Sequence, residues 1–273
     1  MPVNYNVEKI GAGIQVKMAL MTGWFGGLSH VEMVEQVAAY GFPAFENLGA
    51  GKWEDKEAVR AKCDELGISV GAIACGGTIN GEGPVNPAYH DTFENEVRAA
   101  IVNAKALGTK TLLALTGAER SDMSMAQQMD NVVVASKRLA PMLEDAGMVM
   151  VYETLNIRKD HKGYALVYSK QAADMVRQVG SPAVKFLFDV YHQQISEGDV
   201  IRNLTDFKDE IGHFHFGDNP GRREPGTGEL NYKNIFKAIA ASGYTGCVSA
   251  EFSKSKDLEV EALLRILADC ARW

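Results

Sequence analysis

The sequence predicts an α/β fold, a single (β/α)8 TIM barrel with a parallel eight-stranded core, and three observations carry that prediction. The chain has 273 residues, near the roughly 250 typical of such barrels, and 46% of them are hydrophobic, enough for one large core. Apolar runs of strand length alternate with longer helical patterns through eight units. Four of the runs end on a residue that suits a divalent cation: MVMVYE on Glu153, KFLFD on Asp189, IGHFH on His215 and CVSAE on Glu251, spaced 36, 26 and 36 residues apart. Those intervals are about one strand, one helix and two loops, so the four residues sit at equivalent points of successive units. In a parallel barrel such points converge in space.

The elements follow in order. A short N-terminal extension, residues 1–14, precedes a first strand at 16–21 (VKMALM), and Ser29 with Glu32 forms the capping box that opens the first helix. Further strands are read at 44–47 (AFEN), 69–75 (SVGAIAC), 110–115 (KTLLAL), 148–153, 185–189, 212–216 (GHFHF) and 247–251. Gly41, Gly67, Gly108, Gly147, Gly180 and Gly243 each follow a helical pattern and supply the left-handed residue that stops it. The αβ turns are therefore short, whereas the βα segments are long and polar. That asymmetry puts the chemistry on the C-terminal face of a barrel. No GxGxxG lies between a strand and a helix, which argues against an open nucleotide-binding sheet, and no linker divides residues 1–273.

A net charge of −7 gives no long-range attraction for phosphate backbones or anionic membranes, so neither nucleic acid nor membrane is expected as a partner. Cys63, Cys75, Cys247 and Cys270 are scattered, without a CxxC pair, and read as reduced packing residues. Charges at Glu8, Lys9 and Lys17 interrupt any apolar leader. These features set the expectation of a cytoplasmic protein.

Three carboxylates and one imidazole suit one divalent ion, Mn²⁺ or Mg²⁺ before Co²⁺ or Zn²⁺. Counting back in twos puts Glu153 with Val151 and Val149, His215 with His213, and Glu251 with Ser249 and Cys247, so each can point inward. Taken singly, each is equally readable as a polar cap on a strand end. A metal held this way acidifies a C–H next to a carbonyl, and a nearby carboxylate removes that proton to give an enediolate. Glu153 and Glu251, three strands apart, are the candidate acid and base. His192, in VYHQQ after Asp189, and Arg222, in GDNPGRREPGTGELNY after His215, are candidate substrate contacts. So are Asn156 and Arg158 in TLNIRKDHKGY, Glu46 at the end of the second strand, and Trp24 after the first. Each of these is also readable as a solvated loop or wall residue, and His213 reads as a satisfied interior histidine.

The segments YETLNIRKDHKGY, FDVYHQQISEGD and GDNPGRREPGTGELNY resemble the xylose isomerase-like TIM-barrel superfamily over residues 16–265. Within it the chain is most similar to the hydroxypyruvate isomerase group, with metal ligands like those of ketose 3-epimerases. The resemblance implies that Glu153, Asp189, His215 and Glu251 bind the metal, that Glu153 and Glu251 are the acid/base pair, and that His192 and Arg222 contact substrate. It also implies a homo-oligomer. Thr154 stands where the isomerases often carry proline, and His215 where they often carry glutamine. The expectation is a metal-dependent isomerase or epimerase of a small sugar or hydroxy keto acid. The alternatives are a lyase that eliminates from oxidised 3-keto glycosides, an abasic-site endonuclease, disfavoured by only six histidines and the acidic charge, and a barrel that binds without chemistry.

Overall fold

The computed structural model describes residues 3–273. Its strands are β1 (Lys17–Met21), β2 (Ala44–Glu46), β3 (Ser69–Val70), β4 (Ile73–Gly76), β5 (Thr111–Ala114), β6 (Val149–Glu153), β7 (Val184–Asp189), β8 (Ile211–Phe216) and β9 (Cys247–Ala250). All pair in parallel, in the order β3-β2-β1-β9-β8-β7-β6-β5-β4, which is the curled sheet of an α/β TIM barrel. The helices between them are α1 (His30–Ala39), α2 (Lys56–Leu66), α3 (His90–Leu107), α4 (Met125–Ala146), α5 (Ser169–Val179), α6 (Val190–Ser196), α7 (Val200–Asp206), α8 (Tyr232–Ala241) and α9 (Val260–Cys270).

The strand expected at 69–75 is in two pieces, which raises the count from eight to nine. β3 pairs with β2 and β4 with β5, and the chain between them is diverted at Gly71 and Ala72. The cause is a side chain: Ala72 N–H donates to Glu46 Oε2 at 2.6 Å, and a Cβ on Gly71 would overlap the same oxygen. Sequence periodicity does not register this, because the run SVGAIAC has no charged or polar residue after Ser69 to mark a break.

The helix boundaries follow the expected chemistry. Ser29 Oγ accepts from Glu32 N–H at 3.3 Å while Glu32 Oε2 accepts from Ser29 N–H at 2.8 Å. All six expected stop glycines have φ between 64° and 87°. Helical spacing buries Phe93, Val97, Ala100, Ile101, Ala104 and Leu107 of α3 on one face. Burying a side chain such as Phe93, Val97 or Ile101 contributes roughly 1.5–3 kcal/mol.

The barrel lumen is divided. Ala72, Leu113, Val151 and Leu187 form one small apolar cluster, and Ala19, Ala44 and Cys247 another. Buried polar side chains of Glu46, His213 and Ser249 lie in hydrogen-bond contact with one another, where branched apolar residues usually pack. A register shift after Phe186 makes Gly212 an extra residue, so that His213 pairs with Leu187 and His215 with Asp189. Residues 4–12 dock on the barrel through Asn4 to Gln36 and a buried Ile10. Among the described residues, no helix is long and apolar enough to cross a membrane.

Candidate active site

The four strand-end residues meet. Donor atoms of Glu153, Asp189, His215 and Glu251 all lie within 4.8 Å of one another. His215 is central, with Nδ1 3.1 Å from Glu251 Oε2 and 3.4 Å from Glu153 Oε1. Asp189 is held by the helix it starts: Oδ1 accepts from Tyr191 N–H at 2.8 Å, leaving Oδ2 to the site. The Glu153 backbone is fixed by Tyr164, whose hydroxyl donates to the Glu153 carbonyl and accepts from Thr116 N–H.

The electrostatics follow from the burial of carboxylates beside two cationic groups, Arg222 and His215. Burial pushes Asp189 up to about 7, against the pull of the Arg222 charge. Burial and the neighbouring Glu251 charge raise Glu153 as well. Glu251 keeps 28% of its side chain exposed, and the charges on His215 and Arg222 overcome its desolvation and draw it down to about 2. His215 is held well above the usual histidine range despite its burial, by Glu46 and Glu251. The Arg222 guanidinium bridges Asp189 Oδ2 at 3.1 Å and Glu251 Oε2 at 2.5 Å. It reaches them from a backbone with φ 51°, a strained conformation for arginine.

Of the expected substrate contacts, His192 and Asn156 come together. Asn156 Nδ2 donates to His192 Nδ1 at 2.7 Å, which puts the neutral ring's proton on Nε2. That Nε2 is buried without a hydrogen-bond partner and lies 3.6 Å from Asp189 Oδ2. Burial and the Arg222 charge hold His192 well below the usual range. Arg158 projects into solvent. Trp24 packs on Phe252 at a ring-centroid distance of 5.1 Å and lines a separate cavity with Phe25, Leu28 and Tyr40. Glu46 borders a cavity of about 250 Å³ shared with Met21, Asn47 and Glu251, but its carboxylate turns into the lumen, onto His213 and His215. A larger cavity of about 400 Å³ between residues 81–85 and 118–122 lies apart from the carboxylate cluster.

Sequence reasoning passed over three residues. Asp160 accepts from Asn156 Nδ2 and from the Tyr191 hydroxyl, both at 2.8 Å. Tyr191 lies under Arg222, whose guanidinium carbon is 4.9 Å from the ring centroid. Asp218 organises the Arg222 loop by accepting four backbone N–H groups. Only Asp218 left a trace in the sequence, as an Asp opening the Gly- and Pro-rich turn.

The donor set fits a hard divalent ion. It offers three carboxylates and an imidazole, and Glu153 Oε1 is buried without a hydrogen-bond partner. The four cysteines lie elsewhere, with burial pushing Cys63 and Cys247 up to about 12, so thiolate ligation has no part in it.

The sequence pattern of the xylose isomerase-like TIM barrel family matches residues 34–270. The chain belongs to that family. It is 35% identical to hydroxypyruvate isomerase of Escherichia coli K12 over 173 residues, 63% of this chain and 67% of the relative. It is 30% identical to 2-oxo-tetronate isomerase of Cupriavidus necator over 223 residues, 79% of this chain and 84% of that protein. The chain spans about two thirds of the length of the hydroxypyruvate isomerase relatives it matches. Among solved structures, family 2 AP endonuclease from Brucella melitensis superposes with a TM-score of 0.81 at 24% identity, covering 92% of this chain and 98% of that one. A likeness at that identity shows the fold alone.

Proposed function

We propose that this barrel is a divalent-metal-dependent isomerase or epimerase of a small sugar or hydroxy keto acid, of the hydroxypyruvate isomerase type. The observation that carries the reading is the convergence of Glu153 and Glu251 on His215 Nδ1 within one four-residue cluster. Relatives named hydroxypyruvate isomerase and 2-oxo-tetronate isomerase support it.

Glu153, Asp189, His215 and Glu251 would hold the ion. When bound, Mn²⁺ or Mg²⁺ supplies the Lewis acidity that makes a C–H beside a carbonyl removable. His192 Nε2–H and the Arg222 guanidinium orient substrate oxygens. Glu251, paired with the Arg222 guanidinium, takes the proton; Glu153, whose proton affinity burial raises, returns one. Return to the neighbouring carbon isomerises the substrate, and return to the same carbon from the opposite side epimerises it.

Proton exchange in D₂O tests this, with hydroxypyruvate, tartronate semialdehyde and common ketoses as substrates and metal content measured in each sample. Glu251→Gln is expected to abolish label uptake, whereas Glu153→Gln retains uptake and loses product. Uptake by neither the parent protein nor its variants, with metal bound, would refute the reading. Release of an aglycone from a 3-keto glycoside would replace it with elimination.

A further inference from the structure

Beneath the ligand cluster lies a carboxylate that the proposed proton transfers do not use. Glu46 is 4% exposed. Its Oε2 accepts from Ala72 N–H at 2.6 Å and from Ser249 Oγ at 2.8 Å, and lies 2.8 Å from His213 Nε2. Its Oε1 lies 2.7 Å from His215 Nε2, a charge contact rather than one of the hydrogen bonds. The opposite nitrogen of the same ring, Nδ1, faces Glu153 and Glu251. The fold gives up strand continuity for this arrangement. The third strand breaks so that the Ala72 amide reaches Glu46, and Gly71 leaves room for the carboxylate.

Glu46, His213 and His215 also bring three donor atoms within 4.8 Å, the spacing of a second cation site. The hydrogen bonds decide against that use. Oε2 is engaged by a backbone amide, a hydroxyl and an imidazole, which leaves it little capacity for a cation.

We propose that Glu46 is a positioning residue for His215: it keeps the ring proton on Nε2 and so presents the Nδ1 lone pair to the Glu153, Asp189 and Glu251 carboxylates. The inference rests on the reading of that cluster as a metal centre. An imidazole in the other tautomer points N–H at the ion and cannot ligate it. Outer carboxylates that fix a ligating histidine typically change metal affinity by about 10–100-fold.

The test has two arms. In the ¹⁵N-histidine spectrum of the Mg²⁺-loaded protein, His215 is expected as the Nε2–H tautomer. Nδ1–H would overturn the inference without any variant. In the second arm, Mn²⁺ affinity is read from the electron paramagnetic resonance signal of the free ion. Glu46→Gln, which keeps the shape but sets an amide against one of its donors, is expected to bind about 10–100-fold more weakly. Unchanged affinity in a folded Glu46→Gln would overturn the inference while leaving the metal centre in place, as would two Mn²⁺ bound per chain. No Mn²⁺ binding by the parent protein would instead overturn the reading of the cluster itself.

Discussion

Replacing Asp218 with asparagine should loosen the loop that carries Arg222 without changing the volume it encloses. Asp218 is fully buried. Oδ1 accepts from Asn219 N–H at 2.9 Å and Leu230 N–H at 3.2 Å, and Oδ2 from Gly226 N–H at 2.8 Å and Gly228 N–H at 3.0 Å. Asparagine turns one of these oxygens into an NH₂ group, which meets two N–H donors head-on. Two hydrogen bonds to a charged group at roughly 1.5–3 kcal/mol each put the loss at about 3–6 kcal/mol if the loop stays closed. Whole domains have about 5–15 kcal/mol in hand, so the loop is expected to open locally and relieve part of that cost. Opening moves Arg222 away from Asp189 and Glu251, so KM should rise more than kcat falls. Urea unfolding measures the first effect and steady-state kinetics with limited proteolysis of residues 217–231 the second. A loss below about 1 kcal/mol, an intact loop and an unchanged KM would refute the claim that Asp218 holds the loop shut.

Three more outcomes follow from the same geometry. Asp189 is raised to about 7 and His215 lies well above its usual range in the free protein, and both must lose their protons to ligate a metal. Binding therefore releases protons, and Mn²⁺ affinity should rise with pH and weaken as pH falls through about 7; equal affinities at pH 6 and 8 would contradict it. Gly71→Ala drives a Cβ into Glu46 and should cost about 1–3 kcal/mol, seen as a lower melting temperature, and an unchanged melt would remove the steric reason given for the broken strand. A metal present at about 100 times its dissociation constant adds about 2.7 kcal/mol, so EDTA should lower the melting temperature by several degrees. An identical melt with and without chelator would count against a metal centre in the barrel.

The barrel was legible because its signals are local. Strand-length apolar runs, the Ser29–Glu32 capping box and the six left-handed glycines each depend on neighbours a few residues away. The gathering of Glu153, Asp189, His215 and Glu251 was legible for a related reason, since the ends of successive strands of a barrel converge, and family segments around Glu153, Asp189 and His215 reinforced it. Glu46 was harder to place. A glutamate ending a short strand looks the same whether it lines a substrate pocket or turns under it, and only the approach of Ala72, His213 and Ser249 separates the two. Asp160 was missed because nothing in the order of the chain says that it joins Asn156 to Tyr191. Trp24 and Arg158 looked suitable by residue type, but one packs on Phe252 and the other points into solvent.

By itself the sequence determined the architecture and the four strand-end residues that gather at one end of the barrel, because those follow from periodicity and spacing along the chain. The tertiary structure alone decided which atoms face which. Proton affinity, tautomer and the break in the third strand depend on groups that lie up to 203 residues apart, as Glu46 and Ser249 do, within one hydrogen-bond length of each other. At that range desolvation and Coulomb interaction act through distance in space, which the order of residues does not encode.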